Sequence, residues 1–193
     1  MRQLIHNRLA AVLVLTLCIF FGACDSKDGA GAGRGTGPVS FDSKDGGEQW
    51  AFVRAAKGQQ VVFGALGVTN HGDEAATLTS AILTGPDDVV ADEGARLATV
   101  LVRPVAAGAD YVGAAVWPFK RYAEGAAPLE GYKLAPHATA ELLYIVNVKE
   151  QGHWFWPRSE VRYTSGGKRY HDSTSTGFLV CPPGLDRSCD PPD

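Results

Sequence analysis

Glu141-Leu-Leu-Tyr-Ile-Val-Asn-Val148 is the stretch of sequence that decides the fold of this chain. Successive side chains of a strand point to opposite faces, and both faces of this segment are apolar. The residues of one face are Leu142, Tyr144, Val146 and Val148, and those of the other are Leu143 and Ile145. A strand that is apolar on both faces is typical of the centre of a sheet. We therefore predict a central strand that is covered on both sides.

Shorter runs with the same period of two lie on either side of this strand, separated by turn residues, and helical periodicity is almost absent. We expect Val62, Leu66 and Val68 to share one face of their strand, and Leu78 and Ile82 to share one face of theirs. The predicted strands cover residues 50–54, 60–69, 77–84, 96–103, 111–117, 141–148, 160–165, 168–173 and 178–180.

Turn and loop signals connect these runs. Asn70-His71-Gly72-Asp73 is typical of a turn, and Gly166-Gly167 predicts a two-residue hairpin connection. Residues 118–137 contain Pro and Gly but no periodic run, so we expect them to cross between two sheets. This series of short strands in roughly 140 residues favours a single antiparallel, immunoglobulin-like β-sandwich of all-β class at residues 39–180.

The first 23 residues are predicted to be an export signal outside this fold. Arg2 and Arg8 give a basic start, and residues 9–21 form an apolar run. As a helix this run would be roughly 20 Å long, which is too short for a hydrocarbon core of about 30 Å. A basic start, a short apolar run and small residues at the exit are typical of a secretory signal peptide.

Phe21-Gly22-Ala23-Cys24, at the end of this run, resembles the lipobox of bacterial lipoprotein precursors. Their pattern is Leu-(Ala/Ser)-(Gly/Ala)-Cys, so the last three positions match while Phe21 stands where Leu is usual. The resemblance implies that the chain is cut before Cys24, that Cys24 carries a lipid, and that the protein is held at the extracytoplasmic face of the cell membrane. The alternative is an ordinary signal peptide cut nearby. The Gly-rich residues 24–38 would form a flexible tether.

The charge of the chain limits the partners that it could bind. The chain has 18 Lys and Arg against 21 Asp and Glu, and without Arg2 and Arg8 its formal net charge is −5. This balance argues against nucleic acid as a partner.

Cys181 and Cys189 are the two cysteines left once the signal and the lipidated position are set aside. We expect them to form a disulfide that closes the C-terminal loop of residues 181–193.

No catalytic set of residues, cofactor motif or metal-binding pattern is found in the sequence. The candidate binding surface is aromatic: Trp154 and Trp156 share one face of a strand and Arg158 follows them. If Phe155 faces inward, the two Trp side chains are offered to an envelope protein or a glycan; otherwise they cover the core. The sequence thus favours a non-enzymatic, membrane-anchored binding module. The alternative is a small-ligand or metal-ion binding protein that uses the loops containing His71, His137, His153 and His171.

Overall fold

The structure is a computed structural model that describes residues 37–42, 49–85, 94–106, 109–184 and 189–190, apart from the side chains at 121 and 122. Strands dominate this part of the chain, together with one four-residue helix, α1 (Lys120–Ala123). The strands are β1 (Val39–Phe41), β2 (Gln49–Arg54), β3 (Gln60–Asn70), β4 (Ala76–Thr84), β5 (Ala95–Pro104), β6 (Ala114–Trp117), β7 (Ala127–Pro128), β8 (Lys133–Leu134), β9 (Thr139–Val148), β10 (Trp154–Trp156), β11 (Arg158–Ser165), β12 (Lys168–Thr174) and β13 (Thr176–Cys181).

These strands form three sheets. Sheet 1 has the order β1-β3-β9-β5-β7, and β6 pairs with β3 next to β1 along the same edge. Sheet 2 has the order β10-β13-β2, and sheet 3 has the order β12-β11-β4-β8. Sheet 1 packs against sheets 2 and 3 across one hydrophobic core. The predicted all-β sandwich of mainly antiparallel sheets is confirmed.

Strand β9 has the central position that its sequence predicts. It pairs with β3 on one side and with β5 on the other. Leu142, Tyr144 and Val146 face the main core between the sheets. Leu143 and Ile145 face outward but are also buried, because Val112 and its neighbours cover the outer face of sheet 1. Both faces of β9 are therefore desolvated, as its two-sided apolar sequence requires.

Strand β3 does not keep a single buried face, so the prediction for Val62, Leu66 and Val68 is wrong. Leu66 and Val68 lie in the main core, whereas Val62 packs into the outer cluster of sheet 1. Between Phe63 and Leu66 the register with β9 shifts by one residue, and Ala65 has a positive φ of 62°. One extra residue reverses the alternation of side chains, since the period of a strand is two.

A similar bulge in β4 corrects the prediction that Leu78 and Ile82 share a face. Leu78 is buried in the core, but Ile82 lies on the outer face of sheet 3. The register with β11 skips Thr79, so Ala81 and Leu83 take the inward positions.

The predicted connections are confirmed. Gly166 and Gly167 have φ values of 55° and 74°, which is the conformation of a type I′ hairpin turn. The segment 118–137 does cross between layers, because β7 pairs with β5 in sheet 1 and β8 pairs with β4 in sheet 3. One pairing was not expected: β13 and β2 run parallel.

Candidate functional site

The predicted disulfide between Cys181 and Cys189 is present, with a Cα–Cα distance of 6.1 Å. Both cysteines are buried and form a small cluster with Leu179 and Phe155. This cluster lies on the outer face of sheet 2, away from the main core. The disulfide therefore holds Cys189 against that face.

Of the two arrangements considered for Trp154 and Trp156, the structure has the one in which their side chains cover the core. Trp156 is 1% exposed, and its ring packs edge-on against Phe63 with centroids 6.2 Å apart. Trp154 is partly buried against the same core, and its ring contacts Gly94 so closely that a side chain there would collide with it. The two Trp side chains share a face, as period two requires, but it is the face turned toward the core.

An exposed aromatic surface nevertheless exists on the opposite face of sheet 2. Trp50 and Phe52, on the edge strand β2, are 40% and 52% exposed. The register places Phe52 beside Leu179 and Leu179 beside Phe155, so all three lie on the outer face. Trp50 lies beside Gly177, which presents no side chain to cover it. We call Trp50, Phe52 and Phe155 the aromatic surface.

Sequence reasoning missed Trp50 and Phe52, although a signal for them was present. In β2 the two large aromatic residues alternate with the smaller Ala51 and Val53. Val53 faces the main core and Ala51 packs against it, so the aromatic residues take the outer side. Alternation alone does not reveal which of two apolar faces is covered.

Arg158 does not join this surface. It begins β11 in sheet 3, where a cavity of about 360 Å³ opens on the outer face. The lining residues are Ile82, Thr84, Arg158, Ser159, Glu160, Arg162 and Ser173, and we call this space the sheet 3 cavity. In one continuous strand, period two would place Arg158 on the same face as Trp156, but their strands belong to different sheets.

Two of the four histidines considered for metal binding lie close to a polar side chain. His71 Nε2 lies 3.0 Å from the hydroxyl of Ser40, and His137 Nε2 lies 3.3 Å from a carboxylate oxygen of Asp73. Across the described ranges, no three His, Cys, Asp or Glu side chains are grouped so that they could hold a metal. The alternative metal-binding role stays a prediction.

A buried polar network on the outer face of sheet 1 was not expected from the sequence. Glu141 is fully buried, and its Oε1 accepts hydrogen bonds from the backbone N–H groups of Ala65, at 2.9 Å, and Val112, at 2.5 Å. Its Oε2 accepts from Arg103, with Nε at 3.0 Å and Nη2 at 2.5 Å. Arg103 also donates to the carbonyl of Asp110. One carboxylate thus fixes the β3 bulge, strand β5 and the segment before β6.

Tyr111 extends this network toward the surface. Its hydroxyl donates to Asp42 Oδ2 at 2.9 Å, and the hydroxyl of Thr69 donates to the other oxygen of Asp42 at 2.6 Å. Partial burial, followed by the hydrogen bond and the negative charge of Asp42 and the charge of Glu141, raises the pKa of Tyr111 to about 12. Because the carboxylates of Glu141 and Asp42 both accept hydrogen bonds from groups within the protein, we interpret the network as structural.

Comparisons with known proteins give no family for this chain. No protein family model matches it, and no curated protein sequence matches it. Two solved structures resemble it at 10% identity over 77% of the chain. One is the VesB protease of Vibrio cholerae, with a TM-score of 0.37, of which this chain spans only 33%. The other is the PapD-like domain 7 of human CEP192, with a TM-score of 0.38 and 87% of that chain covered.

Cys24, the predicted lipid attachment site, and the signal of residues 1–23 lie outside the described residues, as does most of the tether. Within the part of the chain that is described, no helix is long and apolar enough to span a membrane.

Proposed function

We propose that this chain is a lipid-anchored, extracytoplasmic binding module that acts by contact with an envelope protein rather than by catalysis. The lipobox-like sequence ending at Cys24 supports the anchor. Two acyl chains hold a protein stably at a bilayer, whereas one chain binds only marginally. Attachment at Cys24 would place the tether between the membrane and the first strand, which begins at Val39.

The exposure of the aromatic surface is the observation that supports the binding role most directly. Aromatic side chains are enriched where proteins contact one another, and exposed apolar patches mark such contacts. Trp50 and Phe52 lie on an edge strand, and the buried disulfide cluster packs beside them. A partner protein that covers both rings would remove apolar surface from water without having to rearrange a loop. The acidic chain has no excess of positive charge that would favour nucleic acid.

The anchor is tested by replacing Cys24 with Ala and following a radiolabelled or clickable fatty acid in growing cells. We expect the wild-type protein to take up the label and to fractionate with membranes, and Cys24→Ala to lose both properties. Membrane retention of the Cys24→Ala protein without label would contradict the anchor.

The binding role is tested by photocrosslinking in the native envelope. A photoreactive phenylalanine at position 52 should give one discrete crosslinked protein, and the matched control at position 119 should not. Phe119 suits this control because it is 43% exposed but lies outside the aromatic surface. Trp50→Ala should weaken the captured complex by about 2 kcal/mol or more if this side chain is central to the interface. Capture of a glycan, or identical products from both positions, would overturn the proposal.

A further inference from the structure

The edge strands of the three sheets differ in how they are protected from pairing with a further strand. Proteins protect sheet edges with short strands, Pro, charged side chains or covering groups. β7 and β8 have two residues each, β10 has three and precedes Pro157, and β6 has four and precedes Pro118. β1 has three residues and lies against β12, where the N–H of Phe41 donates to Asp172 Oδ2 at 2.9 Å. β12 also carries Lys168.

Strand β2 is the exception, because none of these features protects it within the described residues. It is six residues long, and its first five, Gln-Trp-Ala-Phe-Val, contain no charged residue, Pro or Gly. It lies at one end of sheet 2, and no described strand pairs with its other side. Such an edge is a template for pairing with another strand.

The backbone groups of Trp50 and Phe52 point toward this open edge. The N–H of Ala55 donates to the carbonyl of Cys181 on β13 at 3.0 Å. Because the N–H and C=O groups of alternate residues in a strand point to the same side, the other odd-numbered residues of β2 also face β13. Trp50 and Phe52 therefore direct two N–H and two C=O groups away from β13. In the described part of the chain, no backbone group bonds to these four.

The sequence of β2 is complementary to itself in an antiparallel register centred on Ala51. In this register Trp50 of one copy lies opposite Phe52 of a second copy, and Phe52 lies opposite Trp50. The edge N–H and C=O groups of each pair then face each other, which gives four hydrogen bonds. Aromatic residues directly opposite each other stabilise an antiparallel pair. Ala51 lies at the centre, where the Cα atoms approach to about 4.5 Å and a small side chain fits best.

We propose that β2 pairs with β2 of a second copy of this chain, which gives a symmetric dimer with one continuous sheet in the order β10-β13-β2-β2-β13-β10. The two-fold axis closes the contact, so pairing stops at two copies. Pairing at the edge leaves the outer face of the sheet open, so the aromatic surfaces of the two copies join into one. The dimer depends neither on the lipid anchor nor on an envelope protein.

The size of the contact indicates a weak, reversible dimer. Stable interfaces bury about 1,200–2,000 Å² in total, whereas this contact consists mainly of one six-residue strand from each copy. Val116 adds apolar surface at the same rim of the sandwich, because its strand β6 lies beside β2 and its side chain is 42% exposed. We therefore expect a dissociation constant in the micromolar rather than the nanomolar range.

Sedimentation equilibrium tests the dimer on purified protein that carries Cys24→Ala, so that position 24 adds neither a lipid nor a thiol. We expect the average mass to rise from one copy toward two between about 1 μM and 1 mM. Phe52→Lys should weaken the dimer about 10-fold or more, since each dimer loses two aromatic pairs, whereas Phe52→Tyr should preserve it. A protein that stays monomeric throughout would leave the edge to a strand of a different protein and would overturn the proposal.

A cysteine on the two-fold axis tests the register. Ala51→Cys places two thiols opposite each other with Cα atoms about 4.5 Å apart, which a disulfide can span, so mild oxidation should give a covalent dimer. Gln49→Cys is the matched control, because position 49 is more exposed than position 51 on the same strand. In this register the two copies of position 49 are offset by four residues, or roughly 13 Å, and cannot be linked.

The Cys24→Ala protein without a further substitution gives the baseline for oxidation. Unchanged thermal unfolding shows that each variant is folded, and if Ala51→Cys unfolds, the two substitutions of the exposed Phe52 still decide the outcome. Equal amounts of covalent dimer from Ala51→Cys and Gln49→Cys, or a dimer that Phe52→Lys does not weaken, would show that β2 is not the contact.

Discussion

Replacing Glu141 with Gln tests whether one buried carboxylate holds the outer side of sheet 1 together. The substitution keeps the shape and one oxygen but removes the charge, and it points an amide N–H₂ group at Arg103. If the remaining oxygen still accepts hydrogen bonds from the N–H groups of Ala65 and Val112, the new amide donors face the guanidinium donors of Arg103. If the amide turns around, the two backbone donors lose their acceptor instead.

The expected loss of stability in Glu141→Gln follows from the burial of Glu141 and Arg103. Breaking a buried ion pair from one side costs about 3–5 kcal/mol. The side chain of Arg103 is 17% exposed and keeps its bond to Asp110, so part of its charge is solvated and the lower end applies. We expect Glu141→Gln to lower the free energy of unfolding by about 3 kcal/mol, which is a large fraction of a typical total of about 5–15 kcal/mol.

Urea unfolding of the disulfide-intact protein at pH 7 measures this cost, provided that the m-value is unchanged. Glu130→Gln removes the same charge from an exposed position and should change stability by less than about 0.5 kcal/mol. In a double-mutant cycle, Arg103→Met should cost clearly less in the Glu141→Gln background than alone. A loss below about 1 kcal/mol for Glu141→Gln, or an additive cycle, would refute the reasoning about a buried pair.

Further predictions concern two tyrosines and the disulfide. The pKa of Tyr111 in the folded protein is raised from 10.0 to about 12, so the contribution of its hydroxyl to stability is complete below pH 10 and is lost as the pH rises toward 12. The free energies of unfolding of the wild type and of Tyr111→Phe should therefore converge over this pH range. A difference that stays constant over the range would contradict this prediction. The hydroxyl of Tyr144 is fully buried and makes no hydrogen bond within the described residues, so Tyr144→Phe should change the free energy of unfolding by less than about 1 kcal/mol in urea; a larger loss would reveal a partner. Burial also raises the pKa of Tyr144, and its tyrosinate absorbance should appear only on alkaline unfolding. Replacing Cys181 and Cys189 with Ser should cost about 2.5 kcal/mol through loop entropy alone, and an unchanged midpoint would show that the bond adds nothing to stability.

Several elements of the fold could be predicted because their signals are local. The two-sided apolar pattern of β9 predicts a central strand whatever its neighbours are. The Gly166-Gly167 pair predicts its turn because both residues must adopt positive φ, which glycine does at little cost. The pairing of Cys181 with Cys189 follows from the count of cysteines once Cys18 and Cys24 are set aside.

The candidate sites were predicted less well, because they depend on which face of a strand is covered. Trp154 and Trp156 were correctly expected to share a face, but nothing in the segment says that this face meets Phe63. The exposure of Trp50 and Phe52 depends equally on the packing of sheet 2. Arg158 was grouped with the two Trp side chains, whereas its neighbours in the cavity come from strands far away in sequence.

The sequence by itself determined the all-β class, the central strand, the hairpin and the disulfide, since each depends on residues close together or on the period of a single strand. Only the tertiary structure decided which faces are buried. The bulges at Ala65 and Thr79 each insert one residue into a two-residue period and reverse every side chain beyond them. Their positions are set by cross-strand contacts, such as the bond from Ala65 to the distant Glu141, that no local pattern contains.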